Sequence, residues 1–458
     1  MRQLSTAERA TLCTADYQIY GRLLIEGTPV EDIVGVNPLR QATTLADLDE
    51  LVTSGTFSAK LLAGGQSLSP YLSTGAKLGG QPLFAEERAI AWQVATVAPG
   101  VTPTVAHWRK VFEGSIDTVD VDPQASRVTL KCRDKIARLL VTEIENITNN
   151  ADGVPMWGFP VTGDAIFVML ESVLDQAWQY AYGSAYPDPF VLLDIPGTTG
   201  SSYWQDRTNI LQALRDLGVG KNGFDLRGRW DVPGHGQDSF VLAYYNPPRP
   251  ADAPDGFVFF PAVPIEDLKR SHDGVNFRYL RLTKLNRSVL GVRNVAEITP
   301  ADTARVPVVT ENATSIGRYA SRFMAASEDA ASHIDTAGEA TTLGQLIVAD
   351  NGFPKTAIDL ELPFNWAFEL NDLFRVGPDG FCYDASETVY GISRIELRYA
   401  NGKGSTLLTG KEGGGAAASA EWRKKDVQIR PKKVYVSDTE PVGPGLKGAI
   451  WAQKLALP

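Results

Sequence analysis

Four histidines, three cysteines and a cluster of aspartates are where metal or acid–base chemistry would have to begin in this chain. Zinc needs His or Cys ligands at close, repeated spacing. His107, His235, His272 and His333 form no i, i+4 pair and have no nearby Cys, while Cys13, Cys132 and Cys382 are scattered. Thiols so placed read as small apolar packing residues in a reducing compartment. Asp117, Asp120 and Asp122 invite a calcium reading, but a calcium loop needs a turn glycine and a distant glutamate, which are absent. Solvated strand residues account for these acids better.

Phosphate and nucleophile chemistry fare no better. Gly218-Val219-Gly220-Lys221-Asn222-Gly223 carries a Gly-Lys pair, yet Arg215 stands where a phosphate loop has its first glycine and Asn222 where it has Ser or Thr. The stretch reads as a helix end. Ser271-His272-Asp273-Gly274 could set a base beside an acid, but such a run is ordinary turn chemistry. No Gly-x-Ser-x-Gly elbow is present. The aromatics could form a sugar platform, but Trp178, Trp204 and Tyr319 fall on amphipathic helices, and Trp108, Trp157, Trp230 and Trp366 make no stripe. No catalytic, cofactor-binding or metal-ligating residue is expected.

Composition points the same way. With 458 residues, about three domains of roughly 150 residues are expected. A net charge of −10 argues against a nucleic-acid-binding surface, which needs clustered Lys and Arg. It permits DNA to pass a wall without sticking. No apolar leader or membrane span is expected from the sequence.

The elements start from a hairpin, Trp108 to Asp134. In its second arm Val128, Leu130 and Cys132 alternate with Arg127, Thr129, Lys131 and Arg133, the period of a half-buried strand. Asp122-Pro123-Gln124-Ala125 supplies the turn. Tyr17 to Ile25 reads as a strand, and Ile136, Leu139, Leu140 and Ile144 mark a short helix flanking or plugging a small barrel. Helices are expected from Asp164 to about Tyr180 and from the Ser202–Gln205 capping box to Gly218, followed by strands at 238–245 and 256–260.

Further on, Phe277 to Thr283 and Val289 to Val295 are strand-like. The chain then turns helical between Ser315 and Ala349, with Ile316, Tyr319, Ala320 and Phe323 on one face. Thr336 and Glu339 form a capping box, with Ala340, Leu343, Leu346 and Ile347 inward and a stop at Asn351-Gly352. Strands resume at Ala357. Ile395, Leu397 and Tyr399 alternate with Arg394, Glu396 and Arg398 before a turn at Asn401-Gly402. Gly410 to Ala420 is a low-complexity loop. The resulting expectation is a β-rich region over 1–150, an α/β region over 151–275, a second β-rich region with inserted helices over 276–430, and an extended C-terminal arm over 431–458.

Three words in this order resemble a known family. They are Phe112-Glu113-Gly114-Ser115-Ile116-Asp117 with Cys132-Arg133-Asp134; Thr314-Ser315-Ile316-Gly317-Arg318-Tyr319-Ala320-Ser321-Arg322; and Leu362-Pro363-Phe364 through Leu370-Asn371-Asp372-Leu373-Phe374-Arg375-Val376. Together they are similar to the hub proteins of bacteriophage tails, the baseplate hubs or minor tail proteins of the tail tip. Ala320 departs from the family, which often has glycine there, and 151–275 matches only in its alternation of helix and strand.

The resemblance implies a mainly β fold with an α/β part: two tail-tube-like β-barrel domains with helical insertions and an intervening small α/β domain. It implies a homotrimer at the virion tail tip, assembled in the host cytoplasm. Such a ring would continue and close the tail tube, adapt sixfold to threefold symmetry, hold the tape measure protein and gate DNA release. Implied partners are the tail tube, the distal tail protein, the tape measure protein and receptor-binding proteins, with DNA passing unbound and no membrane anchor. Arg127, Lys131 and Asp117, on the hairpin's polar side, become candidates for a channel wall or subunit interface. The alternatives are a tail-associated cell-wall hydrolase using a carboxylate pair, which a host-wall zymogram would reveal, and a carbohydrate-binding module, which a glycan array would reveal.

Overall fold

A computed structural model of the chain describes residues 2, 5–14, 17–47, 55–62, 67–141, 148–149, 155–156, 190–193, 210–211, 225–232, 234–235, 238–245, 257–261, 276–279, 281–300, 306–326, 336–376, 385–412, 434–437 and 450–453. The helices expected at 164–180 and over most of 202–217 lie outside the described residues, as do Gly218–Gly223, Ser271–Gly274, His333, Trp157, Trp178 and Trp204.

The first six long strands are β1 (Gln18–Ile25), β2 (Leu39–Asp47), β3 (Thr56–Leu62), β4 (Ala89–Val97), β5 (Trp108–Asp122) and β6 (Arg127–Asp134). They pair antiparallel in the order β2-β3-β6-β5-β4-β1. The hairpin is as the alternation required: Val128, Leu130 and Cys132 are buried. Its turn is fastened by the Ala125 N–H donating to Asp122 Oδ1 at 3.1 Å. The first arm keeps no single period because β5 has two bulges, at Val111 against β4 and at Asp117 against β6. Each inserts one residue and returns the inward face to the next position, giving Val111 then Phe112, and Ile116 then Val119. Helix α1 (Thr6–Thr14) precedes this sheet and the short α2 (Ala137–Val141) follows it, with Ile136, Ala137 and Leu139 buried.

Between these strands and the C-terminal half lie β7 (Phe190–Leu193), β8 (Asp225–Trp230) and β9 (Phe240–Tyr245), a three-stranded sheet in the order β7-β9-β8. The next strand, β10 (Phe257–Pro261), does not join them. It pairs in parallel with β11 (Asn276–Tyr279) and with a strand of the C-terminal half, so the main sheet crosses the division expected at 275.

That half contains β12 (Arg281–Ser288), β13 (Val295–Ile298), β14 (Val308–Glu311), α3 (Ala313–Tyr319), β15 (Phe323–Ala326) and α4 (Ala337–Asn351). It ends with β16 (Lys355–Pro363), β17 (Leu373–Val376), β18 (Ala385–Ala400) and β19 (Lys403–Glu412). β13, β14 and β15 form a separate small sheet whose core, Ala296, Ile298 and Met324, packs on Ala340, Leu343 and Ile347 of α4. The capping box at the start of α4 is present: Glu339 N–H donates to Thr336 Oγ1, and Thr336 N–H to Glu339 Oε2, both at 3.2 Å. Leu346 is only half-buried.

Three local expectations are corrected. Residues 289–294 form a turn in which Leu290 is 79 % exposed, and the strand begins only at Val295. Phe323 lies on strand β15, since the backbone leaves the helix at Ala320 with φ +58°. Gly410 sits inside β19, where its missing side chain leaves room for the Phe374 ring.

The long strands of the two β-rich stretches share one sheet. β18 pairs with β2 from Arg394–Asp47 to Ala400–Gln41, and its other neighbours are β19 and β17. The core is equally continuous: Trp92 lies 5.5 Å from Phe57 and 6.3 Å and 6.4 Å from Phe364 and Tyr399. The architecture is mainly β, dominated by one large and mostly antiparallel sheet.

Candidate assembly surface

The exposed face of that sheet follows from register. Thr118, Lys131, Ser58, Thr43, Arg398 and Ser405 are successive cross-strand partners from β5 to β19. A second row runs Ser115, Arg133 and Thr56 in the N-terminal half and Glu396, Leu407, Glu361 and Arg281 in the C-terminal half. Because side chains alternate with period two, each row shares one side of the sheet. One polar wall therefore runs through both halves of the chain.

Many of its charges are paired within the wall. Arg133 grips Asp117 with two nitrogens, Nε at 2.6 Å and Nη2 at 3.0 Å. Lys131 Nζ lies 3.1 Å from Asp120, and Arg127 Nη2 3.2 Å from Asp122. Across the wall, Glu396 takes both Arg394 at 3.3 Å and Arg398 at 2.8 Å, and Arg281 reaches Glu361 at 2.9 Å. Exposed pairs of this kind contribute about 0–1 kcal/mol each. They give a hydrated face with both signs interspersed and little excess of either. The acids Asp117, Asp120 and Asp122 thus have cationic partners, and no group of His, Cys, Asp or Glu among the described residues is arranged to hold a metal.

The other residues weighed for chemistry have structural surroundings. The Thr104 N–H donates to His107 Nδ1 at 2.9 Å, closing a short 3-10 turn. Cys132 is buried beneath the hairpin, and burial pushes its thiol well above the ordinary value. Trp108 lies under the Arg22 guanidinium at 4.1 Å, and Tyr319 meets Phe353 edge-on at 6.3 Å. The side chains of Cys13 and Cys382 lie outside the described residues. Among those residues no helix is long and apolar enough to cross a membrane.

The three words are structural joints. Gly114 of the first faces Asp134 across the hairpin, where a Cβ would fall 2.0 Å from the Arg133 carbonyl oxygen. Asp134 is buried, which raises its carboxyl to about 7, and it accepts the N–H groups of Gly55 at 2.6 Å and Ile136 at 3.0 Å.

In the second word Ser315 and the buried Asn294 tie the inserted unit together. Asn294 Nδ2 donates to Ser315 Oγ at 3.1 Å and to the Ala320 carbonyl at 2.8 Å, Arg322 N–H donates to Asn294 Oδ1 at 2.7 Å, and Ser315 Oγ donates to the Gly352 carbonyl. Ala320 stands at φ +58°, ψ 174°, a conformation natural to glycine. The third word is a crossing loop: Asn365 N–H donates to Thr406 Oγ1 at 2.7 Å, and Asn371 N–H to the Ile392 carbonyl at 2.8 Å, setting β17 against β18.

Sequence reasoning missed a second polar centre. Arg2 lies between the rings of Trp230 and Trp366, at 4.6 Å and 5.1 Å from their centroids, and pairs with Asp231 and Asp238 at 3.0 Å each. Arg109 joins it, 2.5 Å from Glu8 and 3.8 Å from Asp238. Residues so distant in sequence offer no local spacing that could have disclosed them.

No protein-family model matches the chain. No curated protein matches its sequence. Solved structures do. A tail protein from Neisseria meningitidis MC58 matches at TM-score 0.56 and 11 % identity, over 88 % of this chain and 99 % of that one. The 43 kDa tail protein of prophage MuSo2 from Shewanella oneidensis aligns at TM-score 0.48 and 13 % identity, over 88 % of this chain and 99 % of that one. The chain therefore shares, over most of its length, the fold of the Neisseria tail protein.

Proposed function

We propose that this chain is a structural component of a phage-type tail, the hub at the tail tip. The reading rests most on the largely polar wall, in which Thr43 of the N-terminal half and Arg398 of the C-terminal half are direct neighbours. A sheet continuous across both halves lets one chain present two tube-like barrel segments in fixed relation. Three such chains joined head to tail close a ring with six similar segments, matching a sixfold tube above and leaving threefold symmetry below.

In that ring the polar wall faces the lumen or the neighbouring subunit. Its many internal ion pairs and the net charge of −10 weigh against a cationic track for phosphates, so DNA would pass without specific binding. The tail tube and distal tail protein pack above, the tape measure protein ends within, and receptor-binding proteins attach outside. The fold shared with the Neisseria tail protein supports a tail-associated role.

Native mass measurement of the full chain at micromolar concentration tests this. A trimer is expected. A monomer, together with tail particles that lack threefold density at the tip, would overturn the reading.

A further inference from the structure

We propose that Arg2 is a latch that holds the β8–β9 pair against the main sheet, and that its withdrawal frees this pair as a unit. The guanidinium is almost wholly enclosed, with its side chain 1 % exposed. Each of its three nitrogens has an acceptor: Nε donates to Asp231 at 3.0 Å, Nη2 to Asp238 at 3.0 Å and Nη1 to the Lys110 carbonyl at 2.5 Å. Its two faces lie against Trp230, at the end of β8, and Trp366, in the loop after β16. One cation thus bridges the inserted sheet, the hairpin strand β5 and the C-terminal half.

Three independent features make this joint a catch rather than ordinary core. The first is backbone conformation: Asp231 and Asp238, which flank the turn between β8 and β9, both stand at positive φ, +53° and +60°. A non-glycine residue holds that conformation only where its surroundings impose it. Here the Asp238 N–H donates to Asp231 Oδ1 at 2.5 Å while Arg2 holds both carboxylates. The second is charge: once Arg2 leaves, the Asp231 and Asp238 carboxylates face each other with Arg109 3.8 Å from Asp238, and both gain by moving to water.

The third is packing. A cavity of about 110 Å³ lies at the joint, lined by Arg2, Trp230, Phe240, Trp366, Glu369 and Ile395 among others. Apolar contact there is incomplete, so polar bridges carry much of the attachment. Others at the joint are Arg229 to Glu369 at 3.0 Å, the Trp230 N–H to Glu369 at 3.0 Å, and Arg109 to Asp238 at 3.8 Å. Two arrangements follow, one with the guanidinium seated and the β8–β9 turn held, the other with the turn released.

Hydrogen-exchange mass spectrometry on the full chain, comparing the unaltered protein with Arg2→Ala and Arg2→Lys, tests the latch. Arg2→Ala should speed exchange about tenfold in peptides covering 225–232, 238–245 and 366–369, leaving 108–134 and 337–351 unchanged. Arg2→Lys, which keeps the charge without the planar fork, should fall between. Acceleration spread evenly over the chain, or none at 225–245, would overturn the proposal. Should Arg2→Ala not fold, Asp238→Asn carries the same test, with a smaller acceleration confined to the same peptides expected and an even or absent one contradicting it.

Discussion

Thr43 and Arg398 are cross-strand neighbours, and through them the N-terminal and C-terminal β regions become one sheet. With Trp92 packed against Phe364 and Tyr399, the two regions also share a core. They should therefore unfold together. Denaturant titration followed separately at a label on β3 and at a label on β19 is expected to give one midpoint. Trp92→Ala should lower the stability read at both labels together, by about 3–5 kcal/mol. Two separate midpoints would show that the shared sheet is not a cooperative unit.

Gly114→Ala should be strongly destabilising. A Cβ there would lie 2.0 Å from the Arg133 carbonyl and 2.7 Å from Asp134 Cα, both backbone atoms that move only if the strands separate. A loss of about 3 kcal/mol or more is expected, at the upper end for an overpacked site. Chemical denaturation measures it, and an unchanged midpoint would refute the close approach.

At Ala320 the opposite holds. With φ +58° and ψ 174°, the residue occupies backbone space where glycine is at ease. Ala320→Gly should stabilise the inserted unit by about 1 kcal/mol, and Ala320→Val should destabilise it. Thermal melts of both variants check the sign.

Asp134 gives a pH dependence. Burial raises its carboxyl to about 7 in the folded chain, above the ordinary carboxylate value of about 4. Between those values the folded state holds the proton more firmly than the unfolded one, so this group's stabilisation is fullest below about pH 4 and is lost as pH rises to about 7. Relative to Asp134→Asn, the unaltered protein should lose stability across that window. A difference that stays flat with pH would contradict the assignment.

Much of the fold was legible because its signals are local. The alternations Val128-Leu130-Cys132 and Ile395-Leu397-Tyr399 needed only period two, and the Thr336–Glu339 box only a spacing of three. Misreadings arose where distant contacts overrule local pattern. Phe323 continues a helical spacing on paper, but Asn294 captures the Ala320 carbonyl and the Arg322 N–H and turns the chain into a strand. Gly410 looked like part of a flexible run, yet it is a strand position shaped to the Phe374 ring. Of the assembly surface, Arg127, Lys131 and Asp117 were legible as the polar side of a hairpin. Their continuation through Ser58, Thr43 and Arg398 depends on strand order, which no short spacing encodes. Arg2, held by residues of the β8–β9 turn, had no local signal at all.

Lys131→Glu separates folding from assembly. It replaces an exposed pair with Asp120 by like charges, which should cost the monomer about 0.5 kcal/mol or less. With the wall against a neighbouring subunit, ring formation should weaken while the melting curve barely moves. Unchanged assembly, measured by native mass at matched concentration, would remove Lys131 from the interface.

Imaging of assembled tail particles whose copies carry a label at the exposed Asn401-Gly402 turn tests the tail-tip ring. Three labels in one ring at the tail tip are predicted. Labels spread along the tube, six in a ring, or none on the particle would contradict it.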